Sequence, residues 1–355
     1  MDDHRAIPAF AGLACPLPLT DYRNVLLAHG GGGRLTQQLI ERMFLPQFGN
    51  PELARLHDGA ELLIEGHRLA FSTDSYVVSP IFFPGGTIGD LAVNGTVNDL
   101  AMCGARPLYL SAGFIIEEGL PMEDLWNIVL SMQEGARRAG VSLVTGDTKV
   151  VDRGKGDGIF INTSGIGLIP EGVRIDPKRA QPGDKIILNG PLAMHGIAIM
   201  SVREGLEFET EMVSDTAPLN SLVECILNAC RDVHVFRDPT RGGVASALNE
   251  IAGSASRGIR IAEEQIPITE DVRGACEILG LDPLYVANEG KLLAFVPPAE
   301  CDKVLSAMRG HPLGGASTVI GEVTADHPGV VLMTSSIGGN RVVDMLSGEQ
   351  LPRIC

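Results

Sequence analysis

Apolar and polar positions form blocks along this chain that predict alternating strands and helices. An apolar, β-branched run at 68–78 predicts a strand, and residues 88–105, which follow a Pro-Gly-Gly turn, predict a helix. Apolar residues recur at helical spacing over 122–139, and Gly140 is the residue expected to end that helix. The same criteria predict further strands at 107–116, 141–145 and 158–167.

The second half of the chain repeats this alternation. Predicted strands cover 184–188, the neighbourhood of 259, 291–296 and 318–323, and predicted helices cover 195–203, 220–230, 244–252, 272–279 and 302–308. The segment 170–182 is rich in Pro, Gly and charge, so we place a domain boundary near 172. The pattern predicts a two-domain α/β protein with an extension at 1–23, domains at 24–171 and 172–345, and a flexible tail at 346–355.

Composition narrows the class of protein. With 355 residues, of which 45% are hydrophobic, the chain can build two ordinary cores. A net charge of −16 without any Lys/Arg run argues against a nucleic-acid partner. The seven cysteines form no Cys-x-x-Cys pair, which predicts free thiols in a reducing cytoplasm. No apolar run approaches the roughly 18 residues of a membrane span, so no membrane partner is expected.

The chain ends in a thiol, Cys355. Gly338, Gly348 and Pro352 interrupt the preceding residues, and Pro352 favours an extended conformation before it, so the end is predicted to project. The neighbouring α-carboxylate disfavours the thiolate and Arg353 favours it, so docking into a site would set its reactivity. A lone terminal cysteine is more often accidental, and the rest of the chain must decide.

Gly- and Asp-centred clusters interrupt the apolar framework. Gly31, Gly32 and Gly33 lie within a run of bare amides ahead of a predicted helix, 35–43, whose N-terminus can receive an anion. Such a run is also common in flexible turns. Four acids, each at the end of an apolar run or on a mainly apolar helix, offer the oxygen ligands that Mg²⁺ and its phosphates prefer, although each could instead cap a helix or turn. They are Asp74, Asp99, Asp147 and Asp238.

Polar residues on the predicted helix 88–105 need partners. Asn94 and Asn98 are four residues apart, share a face and have Asp99 beside them. Either a core hydrogen-bond network or a bound nucleotide with its metal would satisfy them. Asp90 is interpreted as a first-turn acid that complements the helix dipole.

Two further motifs pair a carboxylate with an ammonium two residues away. Asp147 and Lys149 flank Thr148 just past a predicted strand, and Glu289 precedes Lys291 in the second half. In extended backbone both members of such a pair point to one side, where they can neutralise phosphate, hold metal or move a proton. Glu289 is the candidate base, with a salt-bridged loop as the alternative.

Taken together, these motifs identify a resemblance. The sequence is similar to the HypE family of hydrogenase maturation proteins, the carbamoyl dehydratases, over roughly residues 25–355, and Gly31 departs from the serine usual in the family's Gly-rich start. That family groups with AIR synthase, selenophosphate synthetase and thiamine-monophosphate kinase. The motifs on which this resemblance rests are FSTDSYVV (71–78), FFPGGTIG (82–89), GTVND (95–99), TGDTKVV (145–151), DPTRGG (238–243), NEGK (288–291) and the terminal LPRIC.

The resemblance implies a fold, an activity and site roles. It implies an AIR-synthase-like fold whose N-terminal domain dimerises through its sheet, and ATP-dependent dehydration of a carbamoyl group on Cys355 to a thiocyanate. It assigns catalysis to Cys355, Lys149 and Glu289, and Mg²⁺ to Asp99 and Asp147. The ATP-binding residues it implies are Gly31, Gly32, Gly33, Asp74, Asn94, Asn98, Thr148 and Asp238.

The resemblance also implies partners. The carbamoyltransferase HypF would load Cys355, and the HypC–HypD scaffold would receive the cyano group for the iron of a [NiFe]-hydrogenase. Cys15 lies too far from the Gly-rich run to act as a nucleophile there. Two alternatives remain: a kinase or amide-activating ligase for a small free substrate, and a non-catalytic adaptor that carries its cysteine between partners.

Overall fold

The computed structural model of this protein describes residues 22, 24–205, 212–348, 351 and 353–355. The predicted extension at 1–23, with Cys15, lies outside the described residues apart from Tyr22. The elements of the first half are α1 (Arg34–Leu39), a π-helical turn (Ile40–Phe44), α2 (Leu45–Phe48), β1 (Ala60–Ile64), β2 (His67–Tyr76), β3 (Phe82–Phe83), β4 (Gly86–Thr87), α3 (Ile88–Met102), β5 (Arg106–Glu117), α4 (Met122–Ala139), β6 (Ser142–Val151) and β7 (Ile159–Leu168).

Five of these strands form the first sheet, in the order β1-β2-β7-β5-β6. Only β5 and β6 are parallel, and the other neighbours run antiparallel. Buried and exposed residues alternate along β7, so one face of the sheet is covered and the other is open. Tyr109, Ile115 and Ile166 are among the large apolar side chains that remain exposed on this sheet, and β6 is its exposed edge.

Helix α3 covers the inner face of the first sheet and begins at a capping box. The Thr87 hydroxyl accepts hydrogen bonds from the amides of Gly89 (3.0 Å) and Asp90 (3.3 Å), and Asp90 accepts one from the Thr87 amide (3.0 Å). Asp90 also pairs with Arg138 of α4 at 3.0 Å, in keeping with its interpretation as a helix-start acid. Every α3 residue except Asp99 is buried, so the helix is mainly a core element.

The second half forms a seven-stranded sheet in the order β14-β13-β10-β12-β8-β11-β9. Only β10 and β13 run parallel in it. Its elements are β8 (Lys185–Leu188), α5 (Met194–Glu204), α6 (Asn220–Ala229), β9 (Val235–Arg237), α7 (Gly243–Ala255), β10 (Gly258–Ala262), α8 (Glu270–Leu279), β11 (Leu293–Val296), α9 (Cys301–Arg309), β12 (Thr318–Thr324), β13 (Val331–Thr334) and β14 (Asn340–Val342).

The predicted α/β class with two sheet-containing halves is confirmed. The boundary near 172 falls between the end of β7 at Leu168 and the start of β8 at Lys185, and it stays a prediction. Strand β6 is longer than predicted and continues to Val151, where the sequence suggested a loop after 145. Pairing with β5 along its whole length keeps this Gly-containing segment extended.

Candidate functional site

Three carboxylates meet where the two halves of the chain touch. Asp58 precedes β1, Asp99 lies near the end of α3 and Asp238 follows β9. One oxygen from each lies within 4.8 Å of the others. The Ser72 hydroxyl donates to Asp99 at 2.6 Å, and Arg237 forms an ion pair with Asp58. Asp58 was not among the residues predicted from the sequence.

Crowding shifts the pKa values of these acids. Burial, reinforced by the charges of Asp238, Asp74 and Asp58, raises the pKa of Asp99 well above its usual value. Burial and the Asp58 charge raise the pKa of Asp238 to about 8. Burial is the largest single influence on Asp58 and opposes its ionisation, but Arg237 and His57 together outweigh burial and lower the pKa of Asp58. A divalent cation would relieve this repulsion, and the oxygen donor set fits Mg²⁺.

The acid cluster forms one wall of a cleft of about 1120 Å³, which exceeds the roughly 300–1,000 Å³ of ordinary small-molecule sites. Gly32, Gly33, Asp74 and Arg241 also line the cleft. Part of the cleft lining is apolar and comes from the helical segments at 34–48 and 53–55. The apolar residues there are Ile40, Phe44, Leu45, Phe48 and Leu53. A cleft lined by apolar residues and by acids suits a nucleotide with its metal.

Two glycines of the Gly-rich loop, Gly32 and Gly33, pack too closely for side chains. Gly32 has φ +72°, and a Cβ there would come within 2.8 Å of Arg241. A Cβ on Gly33 would lie 2.5 Å from the carbonyl oxygen of Leu346. Arg241 also donates to the Gly30 carbonyl at 3.0 Å. The loop is therefore fixed against Arg241, while Gly31 contributes to a smaller cavity beside the tail rather than to the cleft.

The described end of the tail is docked and does not project. The amide of Val77 donates to an α-carboxylate oxygen of Cys355 at 3.1 Å, and the amide of Ser79 donates to the Arg353 carbonyl at 3.2 Å. This spacing extends the end of β2 in the manner of an antiparallel pair. Ile354, between them, is 2% exposed. Burial of an isoleucine and strand-like hydrogen bonds hold the tail where the sequence predicted a free segment.

Docking brings Cys355 to Glu289, Asp74 and Arg241. Burial raises the pKa of Cys355 well above its usual value, the charge of Glu289 adds to this and Arg241 opposes it. Burial and the charges of Asp238, Asp215 and Asp74 raise the pKa of Glu289 as well. Arg241 lines both the cleft and the small cavity that Ile354 also borders. The thiol thus lies beside a buried carboxyl group and a guanidinium, and this guanidinium belongs to Arg241, which also lines the cleft.

Comparison with known proteins identifies the family. The family model of the AIR synthase related protein N-terminal domain matches residues 57–169, and that of the C-terminal domain matches residues 181–333. The carbamoyl dehydratase HypE of Azotobacter vinelandii is 52% identical over 337 residues, which cover 94% of this chain and 99% of that protein. This chain belongs to the HypE family.

Solved HypE structures share the fold. A HypE in complex with ATP superimposes with a TM-score of 0.79 at 50% identity, covering 94% of this chain and 100% of that one. A HypE–HypF complex gives a TM-score of 0.83 at 48% identity, covering 87% of this chain and 99% of that one. The resemblance found in the sequence motifs is confirmed, as is the AIR-synthase-like fold.

Asn94 and Asn98 lie in the interdomain core. Asn94 is 0% exposed and donates to the Thr216 hydroxyl at 3.1 Å. Asn98 is 2% exposed, donates to the Ala217 carbonyl at 3.1 Å and accepts from the Leu219 amide at 2.7 Å. These contacts favour the core hydrogen-bond network over direct nucleotide contact, because both side chains are buried against the second half of the chain. Neither residue lines the cleft.

Asp147, Thr148 and Lys149 lie on β6, away from the acid cluster of the same chain. Asp147 and Lys149 form an exposed ion pair at 2.6 Å, and this hydrogen bond lowers the pKa of Asp147. The strands β7 and β5 separate β6 from β2, which carries Asp74. Three strand spacings amount to roughly 14 Å. Asp147 therefore does not join Asp99 within one chain as the predicted metal pair.

Sequence reasoning missed Asp58, Arg237 and Arg241. The Asp-Gly step at 58–59, directly before the strand that begins at Ala60, is the signal in the sequence that could have indicated Asp58. In the structure, Gly59 packs against Cys103 and Phe71. Arg241 lies inside the DPTRGG motif but was given no role.

None of the helices among the described residues is both long and apolar enough to span a membrane.

Proposed function

We propose that this chain uses ATP to dehydrate a carbamoyl group on its own Cys355 to a thiocyanate, the source of the cyanide ligand of iron in [NiFe]-hydrogenase. The observation that carries the proposal is the docked thiol beside Glu289 and beside Arg241, which also lines the cleft. A kinase for a free substrate has no need for its own terminal cysteine there. An adaptor has no need for the buried acid cluster.

ATP is the phosphoryl-donating substrate, and Mg²⁺ is its proposed companion. Asp58, Asp99 and Asp238 would hold the ion, and the amide of Gly33 would face the phosphates. The bound ion would neutralise phosphate charge. These acids suit a cation because burial and repulsion between neighbouring carboxylates raise the pKa values of Asp99 and Asp238, and a bound cation would relieve that repulsion.

The residues around Cys355 have separate tasks. The oxygen of the carbamoyl group is a poor leaving group. It therefore bonds to the γ-phosphorus of ATP, ADP is released, and the oxygen can then leave as part of a phosphate. Loss of that phosphate and of both N–H protons leaves the C≡N group on sulfur. Glu289 accepts a proton, and its raised pKa makes the carboxylate a stronger base than an exposed one. Arg241 stabilises the negative charge that develops beside the sulfur-bound carbon.

Lys149, Asp147 and Thr148 would act in a second chain. The open face of the first sheet is apolar, and its edge strand β6 is exposed, which supports a homodimer formed through this sheet. The ion pair on β6 would then reach the cleft of the partner subunit. There Asp147 would contribute to the metal and Lys149 to the transferring phosphoryl group.

The proposed partners follow from the family. HypF would load the carbamoyl group, as supported by the relative solved as a HypE–HypF complex. The HypC–HypD scaffold would receive the cyano group, and the reaction would take place in the cytoplasm as a lyase step.

Mass spectrometry of the C-terminal peptide tests the function. We expect Cys355 to gain about 43 Da with carbamoyltransferase and carbamoyl phosphate, and to convert to a gain of about 25 Da once ATP is added, as the two groups' formulae require. A peptide that never gains the carbamoyl mass would support the free-substrate kinase. A carbamoyl mass that persists with ATP would support the adaptor.

A further inference from the structure

His195 lies in the first turn of α5 and connects the second half of the chain to the docked tail. It is 0% exposed, and its ring packs edge-on against Phe83 with 5.5 Å between ring centroids. It lines neither the nucleotide cleft nor the acid cluster. Its two nitrogens make the contacts that matter: Nδ1 lies 2.8 Å from the Ser214 hydroxyl, and Nε2 lies 2.8 Å from the Ile354 carbonyl oxygen.

The surrounding hydrogen bonds fix which nitrogen carries the proton. A carbonyl oxygen can only accept, so Nε2 must donate to Ile354. The Ser214 hydroxyl oxygen accepts from the Thr216 amide at 3.2 Å, which leaves its hydrogen free to be donated to Nδ1. Burial lowers the pKa of His195 and favours the neutral ring. The Nε2–H tautomer therefore satisfies each hydrogen bond in the series that runs from Thr216 through Ser214 and His195 to the tail.

The direction of the Ile354 carbonyl explains why a donor is needed there. In strand-like pairing, alternate carbonyls point to opposite sides. The carbonyl of Arg353 and an α-carboxylate oxygen of Cys355 accept hydrogen bonds from the amides of Ser79 and Val77 in the first half. The Ile354 carbonyl points the other way, into the second half, where a buried oxygen without a partner would be costly. His195 supplies that partner, so the tail is held from both sides.

We propose that His195 is a positioning residue for the dehydration: its Nε2–H holds the Ile354 carbonyl and keeps the Cys355 side chain beside Glu289. The inference rests on the proposed function for its catalytic meaning. The anchoring itself is a property of the unmodified chain. Because Cys355 directly follows Ile354, losing this hydrogen bond frees the thiol to leave the site.

A matched pair of variants tests the anchor. His195→Leu keeps an apolar volume and removes the donor, whereas His195→Gln places an amide N–H where Nε2 lies. In unmodified protein at fixed pH without ATP, the iodoacetamide labelling rate of Cys355 is measured on the C-terminal peptide. We expect His195→Leu to raise this rate about five- to tenfold, the usual worth of one hydrogen bond, and His195→Gln to stay within about twofold of wild type.

Three controls separate anchoring from general damage. ATP affinity should be unchanged in both variants, because His195 does not line the cleft. His311→Leu, which alters a partly buried histidine elsewhere, should not change the labelling rate. If His195→Leu fails to bind ATP, Ser214→Ala replaces it, and we expect a rise of about two- to fivefold because the Nδ1–H tautomer then competes. Wild-type labelling in this replacement, or equal rates in the Leu and Gln variants, would overturn the proposal.

The carbamoylated protein gives the second readout. With ATP, the single-turnover rate of thiocyanate formation should fall in His195→Leu and recover in His195→Gln. Faster labelling with an unchanged dehydration rate would overturn the positioning role. If the wild-type protein itself forms no thiocyanate while labelling still responds as expected, the proposed function fails and the anchor stands.

Discussion

The carboxyl group of Glu289 lies beside the thiol of Cys355 in the docked tail, and its charge helps to raise the pKa of that thiol. Glu289 is 3% exposed, and burial raises its own pKa. Both shifts oppose ionisation of the nucleophile and of its candidate base in the docked state. A carbamoyl group on the sulfur would remove the ionisable thiol and leave Glu289 facing the substrate.

Removing the thiol should abolish transfer of the carbamoyl group to this chain and leave folding and ATP binding unchanged. We expect Cys355→Ala to fold and bind ATP as wild type does, because the side chain ends a docked tail outside the acid cluster. Carbamoyl transfer from HypF, followed by mass spectrometry, should show no gain in mass. Cys225→Ala, which removes another partly buried thiol, is the matched control and should load normally. Hydrogenase maturation at the wild-type level in cells carrying only Cys355→Ala would contradict the proposed function.

The acid cluster should bind the metal with ATP. Asp58→Asn and Asp99→Asn each remove an anionic ligand with little change of shape, so we expect Mg-ATP affinity to fall by about tenfold or more. Titration calorimetry measures this directly. Asp124→Asn changes a half-buried acid on α4 that does not line the cleft, and it should have no effect. Unchanged affinity in both cluster variants would reassign these acids to structure.

Replacing Glu289 should separate loading from dehydration. Glu289→Gln removes the proton acceptor, so protein bearing the carbamoyl group should accumulate when ATP is present. The same change removes a charge that raises the pKa of Cys355. The pH at which alkylation of Cys355 is half-maximal should therefore move down. Thiocyanate formation at the normal rate would show that another group takes the proton.

Stability without metal should fall as the pH rises. The pKa of Asp238 is 3.8 in its reference state and about 8 in the folded chain, so between these values the folded state holds a proton that the unfolded state has released. The free energy of unfolding then decreases with pH across this window. Urea unfolding at pH 5 and pH 8 measures the difference. Asp238→Asn should reduce the difference between the free energies of unfolding at the two pH values. Mg²⁺ should restore stability at pH 8, because the ion favours the ionised acids.

Mixed dimers should reveal action across the interface. Lys149→Ala and Asp99→Asn are each expected to block dehydration in a homodimer. If Lys149 serves the partner's cleft, a mixed dimer holds one cleft with both defects and one with neither, so activity should return on mixing. A chain carrying both substitutions, mixed with wild type, is the control for subunit exchange. No recovery despite demonstrated exchange would place Lys149 in its own chain's site.

Local pattern in the sequence determined much of the framework. Helix α4 has the predicted bounds of 122–139, and Gly140 adopts the predicted left-handed conformation, with φ of 68°. Amphipathic spacing and a terminating glycine are properties of neighbouring residues, which is why they can be read without a fold. The ordered motifs likewise identified the family.

The tertiary structure alone decided which polar groups meet. Asp58 and Asp238 are far apart in the chain, yet their oxygens converge because the two halves pack together, with Asp58 paired to Arg237. The tail looked free because Gly and Pro interrupt it, but burial of Ile354 and hydrogen bonds from Val77 and His195 hold it in place. Local sequence sets the conformations a segment can adopt, whereas burial and long-range hydrogen bonds select one of them, and those depend on residues distant in the chain.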